Sequence, residues 1–403
     1  MRAWIFAGLA CGFFLDHQPA PAAEPQFGAV DEAVKAAFAR GDCPGAVVVV
    51  VHNDEVILRK AYGNRVVRPA LVPMTVDTVF DLASLTKPIA TATSAMLLIE
   101  HGKLSPDDLV AKYWPAFAAN GKDKITIANL LLHNSGLIAD NPEADYKDGP
   151  AKALERIAAL KPEAPVGSRF KYSDVGFIVL GVVVERVAGQ PMDKFAKMHV
   201  YDPLKMTDTG FRPGEPLKAR IAPTGQRAGK IILGEVHDPR AYLLGGVAGD
   251  AGLFAPADDL VRYIRMLLRG GELDGVRVMK PETVKLFTDP HEVLSGTDTP
   301  AKGTPRKQFR SYGWDVDTAY SSQRGDLFPR GEGYGHTGFT GTSVWVDPAS
   351  KTAVIILTNR VHPDDKGNAI RLRREVATAV AAAVGIKPRN DRNGKEEQSG
   401  EKK

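Results

Sequence analysis

Runs of apolar residues broken by polar turns divide the chain into elements. From 28 to 40 apolar positions recur at helical spacing (Val30, Val34, Phe38), which predicts an amphipathic helix. Ala46 to Val51 are then uninterruptedly apolar, and Val56-Ile57-Leu58 follow the polar tetrapeptide His52-Asn53-Asp54-Glu55. This pattern predicts a hairpin from Gly45 to Gly63, with its first strand covered on both faces. Ile89 to Ile99 is small and apolar, as in a buried helix, and Phe177 to Val187 repeats that signal before a stop at Gly189. Between them, Ile125 to Leu137 predicts a Thr-capped helix ending at a glycine. An amphipathic helix is predicted over 258–269 and an Ala/Val-rich one over 369–385. Strands are predicted at Tyr312-Gly313-Trp314, over 342–346 and over 352–359, while 289–312 reads as exposed loop. Residues 213–256 are Gly/Pro-rich around Gly245–Gly252, and no internal repeat is present. Strands at both ends with helices between imply one sheet built from both termini and a helical insertion, with a cleft between the layers.

Composition narrows the picture without redrawing it. The 403 residues, 44% hydrophobic and 25% charged, suit a soluble globular protein with a large core. Net charge is only +4, and the tail from Lys387 carries a net +2 of that, so the body has no nucleic-acid footprint. Arg2, an apolar stretch from Ala3 to Leu15 and the small residues of Pro19-Ala20-Pro21-Ala22-Ala23 read as a secretory signal peptide over 1–23. A periplasmic or secreted location is the expectation, with no membrane span after cleavage. Cleavage would leave Cys43 as the sole cysteine and exclude an intrachain disulfide; beside Pro44-Gly45 at a strand entrance it reads as a buried bystander.

Candidate chemistry begins at Ser84-Leu85-Thr86-Lys87-Pro88. Positions i and i+3 share a helix face, so the Lys87 amine can sit beside the Ser84 hydroxyl, a weak nucleophile until a base takes its proton. A helix start adds unpaired N–H groups suited to a developing oxyanion, and Pro88 fits a first turn. Ser-x-x-Lys also occurs at Ser168–Lys171, which lacks a helix start, and at Ser399–Lys402 in the polar tail. Gly333-x-Gly335-x-x-Gly338 matches a dinucleotide fingerprint in letters but leads into a strand, not a helix. His237-Asp238 reads as a loop anchor, not half a metal site, and no metal or other cofactor is expected.

Two further motifs complete a set: Tyr172-Ser173-Asp174, just before the second buried helix, and His336-Thr337-Gly338, read as lying just before a strand. They follow Ser84 in order, at gaps of 88 and then 164 residues. With these motifs the sequence resembles the class C β-lactamase-like serine hydrolases, which include penicillin-binding-protein-type DD-peptidases and related esterases. The resemblance runs from about Phe27 to Gly385 and includes Ile125–Leu137, Gly167–Gly181 and Pro203–Phe211. It implies an α/β (α+β) β-lactamase/transpeptidase-like fold. An antiparallel sheet (about 24–80 and 305–386) is flanked by helices and interrupted by a mostly helical part (about 81–304), before a disordered tail at 387–403. It also implies that Ser84 forms an acyl-enzyme, that Lys87 and Tyr172 share the proton shuttle, and that the N–H groups of Ser84 and Phe339 hold the oxyanion. Asp174, His336, Thr337, Gly338, Phe339 and Arg360 would meet the substrate.

Two departures shape the expected substrate. Asp174 stands where β-lactamases of this class carry asparagine, and a carboxylate near Lys87 would favour ammonium and shift the work to Tyr172. His336 replaces lysine, so a permanent charge for a substrate carboxylate is missing unless Arg360 supplies it. The expectation is therefore a serine acyl-hydrolase acting on D-Ala-D-Ala-type peptidoglycan peptides or related amides and esters. A broad esterase, a β-lactamase, or a weakly catalytic binder of cell-wall peptides are the alternatives.

Overall fold

The structure, a computed structural model, describes residues 25–294 and 307–387. The signal-peptide segment, the tail beyond Lys387 and the Ser399–Lys402 pair lie outside the described residues. Nine strands form one antiparallel sheet: β1 (Gly45–His52), β2 (Glu55–Val66), β3 (Val72–Pro73), β4 (His291–Leu294), β5 (Lys307–Arg310), β6 (Asp315–Asp317), β7 (Tyr334–Thr337), β8 (Ser343–Asp347) and β9 (Thr352–Thr358). Their spatial order is β4-β5-β6-β7-β8-β9-β1-β2-β3, so strands from the two halves of the chain meet where β1 pairs with β9. There Ala46 lies opposite Thr358 and His52 opposite Thr352.

The unbroken valines of β1 are explained by burial on both faces. Val47, Val49 and Val51 enter the larger core with Ile89, Met96 and Ile264, while Val48 and Val50 pack with Val34, Leu372 and Val376 on the other side. The first side is built from α2 (Thr93–Glu100), α3 (Asp174–Ala188) and α4 (Ala257–Leu268), the second from α1 (Gly28–Ala39) and α5 (Ile370–Ala383). At about 1.5–3 kcal/mol for each fully buried apolar side chain, a strand used on both faces anchors the two layers together. Trp114, Trp314 and Trp345 are core residues. No single helix among the described residues is long and apolar enough to cross a membrane.

Several boundaries differ from the sequence reading. The stretch 289–312 is not all exposed loop: β4 and β5 pair antiparallel, His291 opposite Arg310 and Leu294 opposite Lys307. The sheet therefore begins at His291, ahead of the expected start near 305. These strands are four residues long, and only Val293 and Arg310 in them are buried, so they lack a run of alternating apolar positions. Tyr312-Gly313-Trp314 is a kink rather than a strand. Gly313, at φ +88°, donates its N–H to the Leu131 carbonyl (3.0 Å), and β6 resumes at Asp315. The Thr126-capped helix is Ile127–Leu131, and it ends because His133 turns left-handed (φ +55°), three residues before Gly136.

Candidate active site

Ser84 sits in a short 3-10 turn, Ala83–Leu85, followed by a π-helical turn, Lys87–Ala92, before α2 begins. Ala83, immediately before it, has φ +48°, a conformation that strains a residue bearing a Cβ. Surrounding bonds hold it there. The Asp81 carboxylate accepts from the N–H groups of Ala83 (2.9 Å) and His237 (2.7 Å), Leu82 N–H donates to the Leu253 carbonyl (2.9 Å), and Thr86 Oγ1 accepts from Leu253 N–H (3.0 Å). Burial raises the Asp81 carboxyl to about 6 despite those two bonds.

Lys87 is wholly buried, with Nζ 3.1 Å from Ser84 Oγ and 3.0 Å from the Asp250 carbonyl oxygen. Asp174, the first residue of α3, brings Oδ1 to 2.5 Å from Nζ, an ion pair without aligned hydrogen-bond geometry. Burial alone would depress the lysine, but the charges of Asp174, Tyr172 and Asp250 outweigh it and hold Lys87 as ammonium. The glycine-rich stretch is a packing loop that serves this lysine. A Cβ on Gly249 would lie 1.9 Å from the Phe177 carbonyl oxygen, and only a bare backbone lets the loop reach Lys87.

Tyr172 precedes Ser173, whose side chain caps α3 by accepting from Gly176 N–H (3.0 Å). The Lys87 ammonium lies 5.0 Å from the Tyr172 ring centre. Burial pushes the phenol up, and the nearby Lys87 offsets part of that. The sequence reading missed His133, which stacks on Tyr172 at 4.5 Å and accepts from Ser173 N–H through Nδ1 (3.0 Å). Its proton therefore sits on Nε2. Burial, then Arg310 and Lys87, holds it neutral. The only available signal was a histidine inside the 125–137 stretch.

His336 and Thr337 lie within β7 rather than before a strand, and Gly338 follows directly. A Cβ on Gly338 would meet Thr342 Oγ1 at 2.2 Å and the Leu82 carbonyl oxygen at 2.4 Å, so the strand end approaches the Ser84 turn as closely as a backbone can. Thr340 Oγ1 donates to the Asp81 carbonyl (2.7 Å) and Thr342 Oγ1 to that of Leu82 (3.0 Å), joining the two segments. His336 is buried 5.9 Å from the Tyr172 ring and bonds through Nδ1 to the Thr337 carbonyl (2.9 Å). A carbonyl only accepts, so Nδ1 carries the proton and Nε2 is free to accept. Burial first, and Arg310 and Lys87 after it, keeps the ring uncharged.

A cleft of about 390 Å³ opens between the sheet and the helical layer, with Ser84, Tyr172, His336, Gly338 and Phe339 on its wall. Lys87 and Asp174 lie behind that wall. Arg360 also lines it, with two of its three nitrogens engaged: Nε bonds the Phe339 carbonyl (2.7 Å), and Nη1 bonds Asp365 (2.9 Å) and the Gly367 carbonyl (2.9 Å). Arg373, on the same wall, has its Nε unpartnered, and Arg310 has more unfilled donors: it is fully buried, with Nε and Nη2 unpartnered and Asp315 3.5 Å from Nη1. The sequence reading overlooked it because it fell in the supposed loop.

Among the described residues no group of three or more His, Cys, Asp or Glu side chains could hold a metal ion. Cys43 is buried, with its thiol pushed up to about 11 by desolvation. A nucleophile, a buried ammonium, a phenol and a strand edge converging on one cleft can perform acyl transfer.

Comparison with known proteins gives the same class. Residues 30–378 match the family described as Beta-lactamase. A protein of Escherichia coli O157:H7, provisionally named D-alanyl-D-alanine carboxypeptidase, is 33% identical over 359 residues, 79% of each chain. An N-acetylmuramyl-L-alanine amidase of Bacillus subtilis is 33% identical over 372 residues, 83% of this chain and 80% of that protein. The crystal structure of a penicillin-binding protein homologue from Caulobacter crescentus superposes with a TM-score of 0.70 at 24% identity, covering 89% of this chain and 97% of that one.

Proposed function

The chain belongs to the beta-lactamase family of serine hydrolases, and within that family we propose that it cleaves D-alanyl-D-alanine-type peptides through an acyl-enzyme on Ser84. The observation that carries the reading is Lys87 Nζ, wholly buried and 3.1 Å from Ser84 Oγ. Ser84 Oγ bonds to the substrate carbonyl carbon, and its proton passes through the Tyr172–Lys87 pair to the leaving amine as the C–N bond breaks. A water molecule then repeats the sequence on the ester and frees the acid. Because Asp174 favours the ammonium form of Lys87, Tyr172 is the accepting base and Lys87 stabilises its phenolate. The N–H groups of Ser84 and Phe339 face the developing oxyanion.

The name of the Escherichia coli relative supports the peptide substrate, and so does the chemistry of the wall. A terminal carboxylate needs a cation with free donors, and Arg310 has two unfilled nitrogens where His336 is neutral. A periplasmic or secreted location, carried by the N-terminal segment, belongs to the same proposal. The test is release of D-alanine from a peptide ending in D-Ala-D-Ala, by wild type and by Ser84→Ala. The proposal expects release by the first and a loss of at least about 10³-fold in the second. Equal release by both would refute the Ser84 mechanism; hydrolysis of esters but not of the peptide would refute the substrate.

A further inference from the structure

We propose that Arg373 is a positioning residue for the oxyanion donor: from its place in the cleft wall it fixes and polarises the Gly338–Phe339 peptide so that the Phe339 N–H faces Ser84. This inference rests on the acyl-enzyme reading above.

Arg373 lies on the first turn of α5 and is buried. Its guanidinium has no carboxylate partner among the described residues, and the nearest charge acting on it is another cation, Arg360. A buried, unpaired guanidinium is costly, so what it touches is informative. Nη2 donates to two backbone carbonyls, those of Gly338 (2.7 Å) and Thr342 (3.0 Å).

The Gly338 carbonyl and the Phe339 N–H belong to one peptide unit, and a trans peptide points these two groups in opposite directions. A donor holding the carbonyl on the α5 side therefore turns the N–H toward the other side. That N–H donates to no protein acceptor among the described residues. The turn is set by Gly341 N–H on the same Gly338 carbonyl (3.1 Å) and by Gly338 N–H on the Thr342 carbonyl (2.7 Å). Arg360 takes the next carbonyl, that of Phe339 (2.7 Å), and lies 4.3 Å over its ring. Two cations thus hold consecutive carbonyls of the segment that Thr340 and Thr342 stitch to the Ser84 turn. A positive charge on the carbonyl also draws electron density from the N–H, making it a stronger donor to an anion.

Removing a whole oxyanion donor costs about 10²–10³-fold in kcat, so loosening and depolarising one donor should cost about 10–100-fold. The experiment compares wild type, Arg373→Met, Arg373→Lys and Ser84→Ala with p-nitrophenyl acetate, a substrate without a carboxylate. The inhibition constant of phenylboronic acid, whose serine adduct is a tetrahedral anion, is measured alongside. The inference expects kcat/KM for the neutral ester to fall about 10–100-fold in Arg373→Met, mainly in kcat, with boronate affinity falling in parallel. Arg373→Lys should recover part of both, and it remains informative if Arg373→Met does not fold. Unchanged ester kinetics and boronate affinity in Arg373→Lys and Arg373→Met would overturn the inference. So would a loss confined to carboxylate-bearing substrates, which would make Arg373 a substrate ligand. In either case the Ser84 dependence would persist; ester turnover unaffected by Ser84→Ala would instead overturn the acyl-enzyme reading itself.

Discussion

Replacing Asp174 by asparagine should shift the base of the reaction to lower pH. The carboxylate oxygen lies 2.5 Å from Lys87 Nζ, and the lysine is wholly buried, so the pair is poorly screened. A unit-charge pair at about 4 Å and an effective dielectric of about 20 interacts by about 4 kcal/mol, or about 3 pK units. Asp250 still acts on the lysine, and the asparagine amide keeps a dipole there, so a downward shift of about 1–2 units is expected. The sign is the same for both members of the proposed proton shuttle. Asp174 raises Lys87 by favouring ammonium and raises Tyr172 by opposing phenolate, so its removal lowers both. The assay is kcat/KM for a p-nitrophenyl ester against pH, which reports groups of the free enzyme. Wild type should gain activity into the alkaline range. Asp174→Asn should reach its plateau about 1–2 units earlier and run about 3- to 10-fold faster at pH 7, a weaker base offsetting part of the gain. An inflection that stays in place, or moves up, would refute the electrostatic argument and leave Asp174 as a helix-start residue.

Other variants probe the remaining contacts. Gly338→Ala places a Cβ 2.2 Å from Thr342 Oγ1 and 2.4 Å from the Leu82 oxygen, so it should lower stability by about 1–3 kcal/mol and kcat by about 100-fold, read by urea melts and ester turnover. Arg310→Gln should raise KM for a peptide ending in a free carboxylate at least about tenfold and leave p-nitrophenyl acetate within about threefold. Burial holds His133 and His336 below their ordinary range, so the stability they lend is present above about pH 6.5 and is lost as pH falls below it, at up to about 1.4 kcal/mol per unit for each. His336→Asn should therefore flatten the acid limb of a Tm-against-pH curve relative to wild type; identical limbs would contradict the buried neutral ring.

The long apolar runs were legible because one burial pattern decides them. The valines of β1, the buried face of α3 and its Gly189 stop, and the meeting of strands from both termini all follow from periodicity and turn chemistry. The close approach of Lys87 to Ser84 was legible too, because i, i+3 spacing suffices even through a 3-10 and then a π-helical turn. Contacts between distant segments left no such trace. His133 reaches Tyr172 only because its own left-handed turn ends a helix early. Arg310 lies in a four-residue strand whose partner stands 19 positions upstream in the register, and Arg373 bonds backbone atoms, which no residue type advertises. Arg360 was singled out for its charge, and its bonds through Nε and Nη1 to Phe339, Asp365 and Gly367 had no trace in the sequence.

The claim that Ser84 becomes acylated has a direct measurement: intact mass of the protein after incubation with a penicillin, followed by peptide mapping. The account predicts a covalent adduct of the penicillin's mass on the peptide bearing Ser84 and its absence from Ser84→Ala. An adduct mapping to another residue, or one that survives in Ser84→Ala, would contradict it.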